Sequence, residues 1–238
     1  MDDLTPGAAG EPSAPRRIGR GVFLGTVAAG LSSLWWGKAA WGAVSGAVSP
    51  VAQAIAPGIL PSKGWRIYTV AGTMPVFEPA TWRLKIGGMV EQPQELSYHE
   101  LRALPQASQV SVFHCVTGWT VNGVHWRGVR FKDLLAAAKP LPGAHALEFV
   151  SAEYPYVDYL TLDQAMLPDA MLAWEMDGQP IPQEHGAPVR VVIPEMYGYK
   201  NVKWVAEVNL VRRPKVGYWE AYGYDNDAWV GRSNGYGA

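Results

Sequence analysis

A chain of 238 residues with 20 Lys plus Arg against 21 Asp plus Glu has a net charge of -1, which recommends neither nucleic acid nor an acidic membrane surface as a partner. Its length and 48% hydrophobic content suit one large domain or two small ones and exclude a disordered or fibrous chain. The single cysteine excludes an internal disulfide, and without cysteine pairs there is no iron–sulfur cluster, zinc ribbon or c-type haem.

Residues 1–15 are rich in Gly, Pro, Ala and acid, the composition of a flexible leader. Arg16, Arg17 and Arg20 then precede 17 uncharged residues, Gly21 to Gly37, in the order of an export signal's charged and apolar regions. The segment resembles a twin-arginine signal, with Arg16-Arg17 as the pair and Phe23-Leu24 as the apolar step. That route carries folded proteins, so it implies a cofactor installed in the cytoplasm and a destination in the periplasm or cell envelope. A plain membrane anchor stays open, because the run is just long enough to span a bilayer. Residues 39–61 are also uncharged but hold Pro50 and Pro57 and show no clean cleavage site. Residues 1–63 are therefore set apart as leader or anchor.

From Gly64 to residue 238 the pattern predicts one domain of short alternating elements. WRLKIGG (82–88) has strand composition, and SYHELRAL (97–104) opens with a capping box, Ser97 and Glu100, that predicts a short helix. VSVFHCV (110–116) alternates as a strand does and ends on Cys115. FKDLLAAA (131–138) reads as a helix stopped by Pro140, ALEFVSA (146–152) as a strand, and TLDQAML (161–167) as a helix capped by Thr161 and Gln164. VRVVIP (189–194) and VKWVAEVNLV (202–211) complete the core as strands. Strands mixed with scattered helices, without regular strand–helix alternation, predict a single strand-rich α+β domain. No GxGxxG follows a strand, so a dinucleotide site is not expected. Eleven tryptophans are an unusual number, and some are expected to line a pocket.

The lone thiol sits in VFHCVTGW, residues 112–119. Taken alone, such a cysteine is more often a small buried hydrophobe than a reactive group. Its surroundings change that balance. HCVTGW, HWRGVRFKDLL (125–135), YPYV (154–157) and EMDGQPIPQEHGAPVRVVIPEMYGYKNVKW (175–204) occur in the order found in the sulfite oxidase family, whose molybdopterin-binding domain residues 64–238 resemble. Size and export signal look closest to that family's periplasmic methionine sulfoxide reductase branch.

The resemblance implies a strand-rich sulfite oxidase-like fold and a molybdenum–molybdopterin cofactor with Cys115 as the one protein ligand of the metal. A soft thiolate suits a metal that already carries the two sulfurs of a dithiolene. The family's cofactor-binding positions fall on His185 and Arg190, on Asn201, Val202 and Lys203, on Ser151, and on Tyr68 and Thr69. Guanidinium and ammonium groups are the donors a pterin phosphate needs. Lys200 is a weaker candidate. Tyr156 corresponds to a tyrosine near the metal, where a phenol could donate to substrate oxygen; packing is an equally ordinary use of such a ring. His114 is not expected to be a ligand, because alternation along the strand turns it to the other face.

The activity implied is two-electron oxygen-atom transfer. IYTVAGTMP and CVTGWTVNG lack the arginines that the sulfite-oxidising branch places there, which points to reduction of a neutral S-oxide or N-oxide. Sulfite oxidation is the alternative, and Arg127, Arg130 and Arg232 are the arginines that folding could bring to the pocket. A non-catalytic, membrane-tethered cofactor-binding protein is a further alternative. A cysteine-nucleophile hydrolase is disfavoured, since nothing around Cys115 resembles an activated elbow. Neither a haem domain nor an immunoglobulin-like domain has room here, so electrons are expected from a separate membrane haem protein or cytochrome.

Overall fold

The computed structural model describes residues 64–232, and the leader or anchor expected over residues 1–63 lies outside them. The described strands are β1 (Arg83–Gly88), β2 (Gln94–Ser97), β3 (Ala107–His114), β4 (Thr120–Arg130), β5 (Ala146–Ser151), β6 (Val157–Thr161), β7 (Met171–Met176), β8 (Gln179–Pro180), β9 (Arg190–Val192) and β10 (Val205–Val211). Three short helices intervene: α1 (Tyr98–Ala103), α2 (Phe131–Leu135) and α3 (Leu162–Ala165). The domain is α+β and rich in strands, as the pattern predicts.

The strands form two sheets. One has the order β2-β1-β10-β5-β6, and the other β3-β4-β7-β8 with β9 also paired to β7. Within the first, β1 and β10 run parallel, bringing residues 83–88 beside residues 205–211. Leu84 and Ile86 of β1, Phe149 of β5 and Val208 of β10 share one buried cluster with Val129 of β4 and Leu172 and Trp174 of β7. The core thus takes one face of each sheet. The opposite face of β7 presents Met171 and Ala173 to a second cluster with Trp65, Ile67, Val124 and Trp126. Trp174 and Phe131 are fully buried, and such side chains contribute about 1.5 to 3 kcal/mol each.

Both capping boxes are present, with Ser97 and Thr161 accepting from the backbone of Glu100 and Gln164 and receiving the reciprocal bond. Several boundaries differ from the sequence reading. The helix expected over 131–138 ends at Leu135, and Lys139 adopts a left-handed conformation before Pro140. The strands expected over 189–194 and 202–211 shrink to β9 and β10. The residues released before β10, Val202 to Trp204, form a loop.

Five strands, β2, β4, β6, β7 and β8, are not among those read from the sequence, and of these β4 and β7 are interior to a sheet. β7 (MLAWEM) is buried on both faces and so lacks alternation. β4 contains Gly123 and Gly128, which read as breakers. A Cβ on Gly128 would lie 2.1 Å from the Leu172 carbonyl oxygen, so the glycine is where β4 and β7 approach at a register shift. No described helix is long and apolar enough to cross a membrane.

Candidate active site

A cavity of about 180 Å³ opens where the ends of β3, β5 and β9 meet the loop before β10. Of the residues singled out in the sequence, Cys115, Tyr156, Tyr68, Ser151, His185, Arg190, Asn201 and Lys203 all line it. Thr69 and Val202 do not. Val202 is packed in the core, and its carbonyl accepts from the Val191 amide at 2.8 Å. His114 likewise lies away from the cavity, as strand alternation requires.

Cys115 follows β3 directly, in the turn that leads into β4. Its amide donates to the Trp119 carbonyl at 2.9 Å and its carbonyl accepts from the Gly118 amide at 3.0 Å, so the tip is closed by its own backbone. The thiol is half-buried, 3.2 Å from the Thr117 hydroxyl. Phe113, Trp119 and Trp65 pack together beside it, with ring centroids 4.8 to 6.1 Å apart.

The opposite wall is cationic. Arg190, 3% exposed, donates to the carbonyls of His185 at 3.0 Å and Asn201 at 3.3 Å, and its guanidinium lies over the rings of Phe113 and Trp126. Its Nε is buried without a hydrogen-bond partner. Burial brings the Arg190 pKa down to about 10. Lys203 donates to the carbonyls of Tyr68 at 2.7 Å and Glu184 at 3.3 Å. Burial, reinforced by Arg190, lowers it to about 7, against the opposing pull of Glu153 and Glu184. His185 is brought down to about 4 by burial, Arg190 and Lys203, so its ring is neutral at physiological pH.

Backbone geometry fixes these groups. Trp204 sits at φ 50, and its indole donates to the Gln183 carbonyl at 2.7 Å. A left-handed tryptophan costs about 1 to 3 kcal/mol and persists only when its surroundings hold it. Gly186, at φ 106, passes so close to Lys203 that a Cβ there would lie 2.8 Å from the lysine Cβ. Asn201 accepts from the Ile193 amide at 2.9 Å, which ties the loop to the end of β9.

Ser151 donates to the Lys203 carbonyl at 2.8 Å and accepts from the Glu153 amide at 3.0 Å. Its hydroxyl therefore braces the wall from within. Tyr156 donates to the Tyr199 carbonyl at 2.6 Å and stacks on Tyr218. Burial first, then Asp158 and Glu220, raise its pKa well above the usual phenol value, so it stays protonated.

The fold corrects three sequence expectations. Lys200 is fully buried in an ion cluster with Asp158 and Glu220 and does not line the cavity. Arg127 pairs with Glu175 at 3.4 Å and Arg130 donates to Gln109, and neither they nor Arg232 reach the cavity. The N-terminal segment does supply an arginine: Arg66, immediately before IYTVAGTMP, is exposed and is among the residues lining the cavity. Glu153 was also missed. It is buried and accepts from the amides of Val70 at 2.6 Å and Ala71 at 3.3 Å, latching that segment over the site. Only the extended pattern around Trp65 and Ile67, with Arg66 exposed between two buried residues, could have hinted at it.

The donor set can be tested against the group that the sequence suggests. Among the described residues no three His, Cys, Asp or Glu side chains converge as metal ligands. A metal at Cys115 must then bring other ligands with it, as a pterin dithiolene does. Arg190 with an unpartnered buried nitrogen, beside a half-neutralised Lys203, is a cationic cluster lacking its anion. These residues fit a phosphorylated pterin bearing a thiolate-bound metal.

Comparison with known proteins agrees. The family model of the oxidoreductase molybdopterin binding domain matches residues 71–219. The chain is 33% identical over 150 residues to the uncharacterized oxidoreductase YuiH of Bacillus subtilis (strain 168), covering 63% of this chain and 75% of that one. It is 29% identical over 161 residues to the protein-methionine-sulfoxide reductase catalytic subunit MsrP of Campylobacter jejuni, covering 61% of this chain and 54% of the relative. To MsrP of Xanthomonas axonopodis pv. citri it is 31% identical over 153 residues, 58% and 47% of the two chains. The chain thus spans about half the length of these reductase subunits. The crystal structure of the sulfane dehydrogenase SoxCD from Paracoccus pantotrophus shares the fold, with a TM-score of 0.56 at 24% identity over 59% of this chain and 40% of that one.

Proposed function

Because the chain belongs to the family of oxidoreductase molybdopterin binding domains and is a molybdopterin-dependent oxidoreductase, we propose that it reduces a neutral S-oxide or N-oxide, with Cys115 holding the metal and Arg190 and Lys203 the pterin phosphate. When bound, the cofactor supplies two-electron oxygen-atom transfer. The protein binds, orients and supplies protons. Ser151 and Asn201 brace the cationic wall through the backbone bonds described above, and neutral His185 offers the pterin a ring nitrogen without adding charge. Tyr68 and Thr69 belong to the strap that Glu153 latches, with the Tyr68 carbonyl taking a bond from Lys203; Val202 contributes through its backbone alone.

One observation carries the substrate class. Beyond the cofactor cations, the cavity wall is largely aromatic, with Trp65, Phe113, Trp119 and Trp219, and its neutral donors include the Trp119 indole, buried without a hydrogen-bond partner, and the Tyr156 phenol, which donates to the Tyr199 carbonyl. A largely aromatic wall with neutral donors suits a polar S=O or N–O group on an apolar molecule, whereas an oxyanion would lose hydration that the rings do not replace. The reductase names of two relatives support the same direction.

Arg66 favours a second reading, sulfite oxidation, since an arginine among the lining residues is the kind of group a small dianion requires. Membership in an oxidoreductase family leaves the non-catalytic alternative without support. Electrons come from a separate carrier protein in this proposal, and residues 1–63, with Arg16-Arg17, direct export. The purified enzyme with a low-potential electron donor is expected to show far higher kcat/KM for S-oxide or N-oxide reduction than for sulfite oxidation with an artificial acceptor. Efficient sulfite oxidation that Arg66→Ala abolishes, with negligible S-oxide and N-oxide reduction, establishes the second reading instead.

A further inference from the structure

The strap that supplies Arg66, Tyr68 and Val70 to the cavity belongs to none of the described strands. Upstream it is anchored by Trp65 and Ile67, which are buried in the second hydrophobic cluster. Downstream, the carbonyls of Met74 and Pro75 accept from the Gln183 side chain at 3.3 and 3.1 Å. Between those anchors the backbone has three hydrogen bonds among the described residues. The amides of Val70 and Ala71 donate to Glu153 Oε1, and the Tyr68 carbonyl accepts from the Lys203 ammonium. Ala71 to Thr73 are exposed, and Gly72, at φ 74, would have nothing within 4 Å of a Cβ. Residues 68–73 can therefore swing outward without breaking any strand pairing.

Those three bonds are part of a closed ring. Glu153 accepts from the strap on its side chain and donates its own amide to the Ser151 hydroxyl at 3.0 Å. The Ser151 hydroxyl donates to the Lys203 carbonyl at 2.8 Å, and the Lys203 ammonium returns to the strap at the Tyr68 carbonyl, 2.7 Å away. Lys203 is thus held at its backbone and at its tip, and Glu153 bears on both. An ammonium has three donors. Two of them go to the carbonyls of Tyr68 and Glu184, which leaves one for an anion in the cavity.

We propose that residues 68–73 are a clasp that opens to admit the pterin and closes on it, and that Glu153 is the positioning residue that fastens it. The inference rests on the reading that Lys203 and Arg190 hold the pterin phosphate.

Anion binding and closure reinforce each other through Lys203. Burial and Arg190 oppose charge on this amine, while Glu153 and Glu184 favour it. A phosphate beside it tips that balance toward the ammonium. An ionised donor makes the stronger hydrogen bond, so the tie to the Tyr68 carbonyl tightens once the anion is in place. By linkage, a fastened strap must strengthen anion binding in the same proportion. Glu153 serves this coupling from outside the phosphate contacts, by holding the strap where the ammonium can reach it.

Hydrogen exchange of the whole chain, with and without its cofactor, tests the clasp without any substitution. Loading is expected to slow exchange of the Val70 and Ala71 amides about tenfold or more, the effect of one added charge-assisted bond. Equal exchange in the two forms overturns the proposal. In the loaded chain, Glu153→Ala is expected to speed release of the pterin about tenfold, read from pterin fluorescence in the filtrate, and to erase the difference in exchange. Glu153→Gln keeps an oxygen acceptor for the strap without the charge, and its release rate is expected to fall between those of Glu153→Ala and the wild type. A side chain that only supports the fold would shift the urea midpoint and leave the release rate of the folded holoenzyme at the wild-type value. Lys203→Met separates the clasp from the phosphate reading. Faster release in Lys203→Met with wild-type release in both Glu153 variants overturns the clasp and leaves the phosphate site standing. Wild-type release in Lys203→Met places the phosphate elsewhere and removes the clasp with it.

Discussion

Lys203 offers the sharpest test of anion binding in the cavity. In the cofactor-free chain its pKa is about 7 rather than 10.5, because burial and Arg190 both oppose the charge. At pH 8, about one Lys203 in eleven therefore carries its proton. A phosphate placed beside the ammonium supplies the missing counter-charge and restores the protonated form. Binding the phosphorylated pterin at pH 8 is then expected to take up about 0.9 proton per chain. His185 contributes nothing to this count, since a ring that titrates near 4 stays neutral at pH 8 on both sides of the reaction. The sign is fixed by the direction of the shift. Affinity is full below pH 7 and falls about tenfold per unit as pH rises above it, until the bound lysine itself titrates. The cofactor-free fold has the opposite dependence: its Lys203 pKa lies below the unfolded value, so this residue's contribution to stability is present above 10.5 and is lost as pH falls toward 7. Calorimetry in two buffers of equal pH and unequal ionisation enthalpy counts the protons directly. A count near zero at pH 8, or a full count retained in Lys203→Met, refutes the placement of the phosphate.

Other residues give independent tests. Cys115→Ser is expected to remove most activity and to change the paramagnetic signal of the one-electron state of molybdenum, since an alkoxide is a harder donor than a thiolate; an unchanged spectrum excludes the thiol as ligand. Gly128→Ala drives a Cβ to 2.1 Å from the Leu172 carbonyl oxygen and must push β4 from β7. A loss of about 1 to 3 kcal/mol by urea unfolding is expected, in the range of overpacked cores, whereas unchanged stability would show that the two strands separate freely.

How much of this was legible in the sequence depends on how local each signal is. The two capping boxes were readable because Ser97 with Glu100 and Thr161 with Gln164 lie three residues apart, and the bonds they make are made within one turn. β1 and β5 were readable from composition. The run of motifs from Cys115 to Lys203 pointed to a molybdopterin site through its resemblance to the sulfite oxidase family, and eight of the ten residues singled out line one cavity.

The rest was decided by contacts between residues distant in the chain. β7 hid because burial on both faces erases the alternation that marks a strand, and β4 because its Gly128 serves a neighbour 44 residues away rather than a turn. Arg66 reached the cavity through the Glu153 latch, a bond across more than 80 residues to Val70 and Ala71. Lys200 and Lys203 stand three residues apart in one loop and look alike as a pair of cations. Folding set one against Asp158 and Glu220, which hold it charged in the core, and the other at the cavity, where burial first and then Arg190 drive it toward neutrality. The sequence determines that both residues are amines; the charge each carries is set by burial and by its neighbours in space, because a poorly solvated interior disfavours the charged form unless facing opposite charges outweigh that cost.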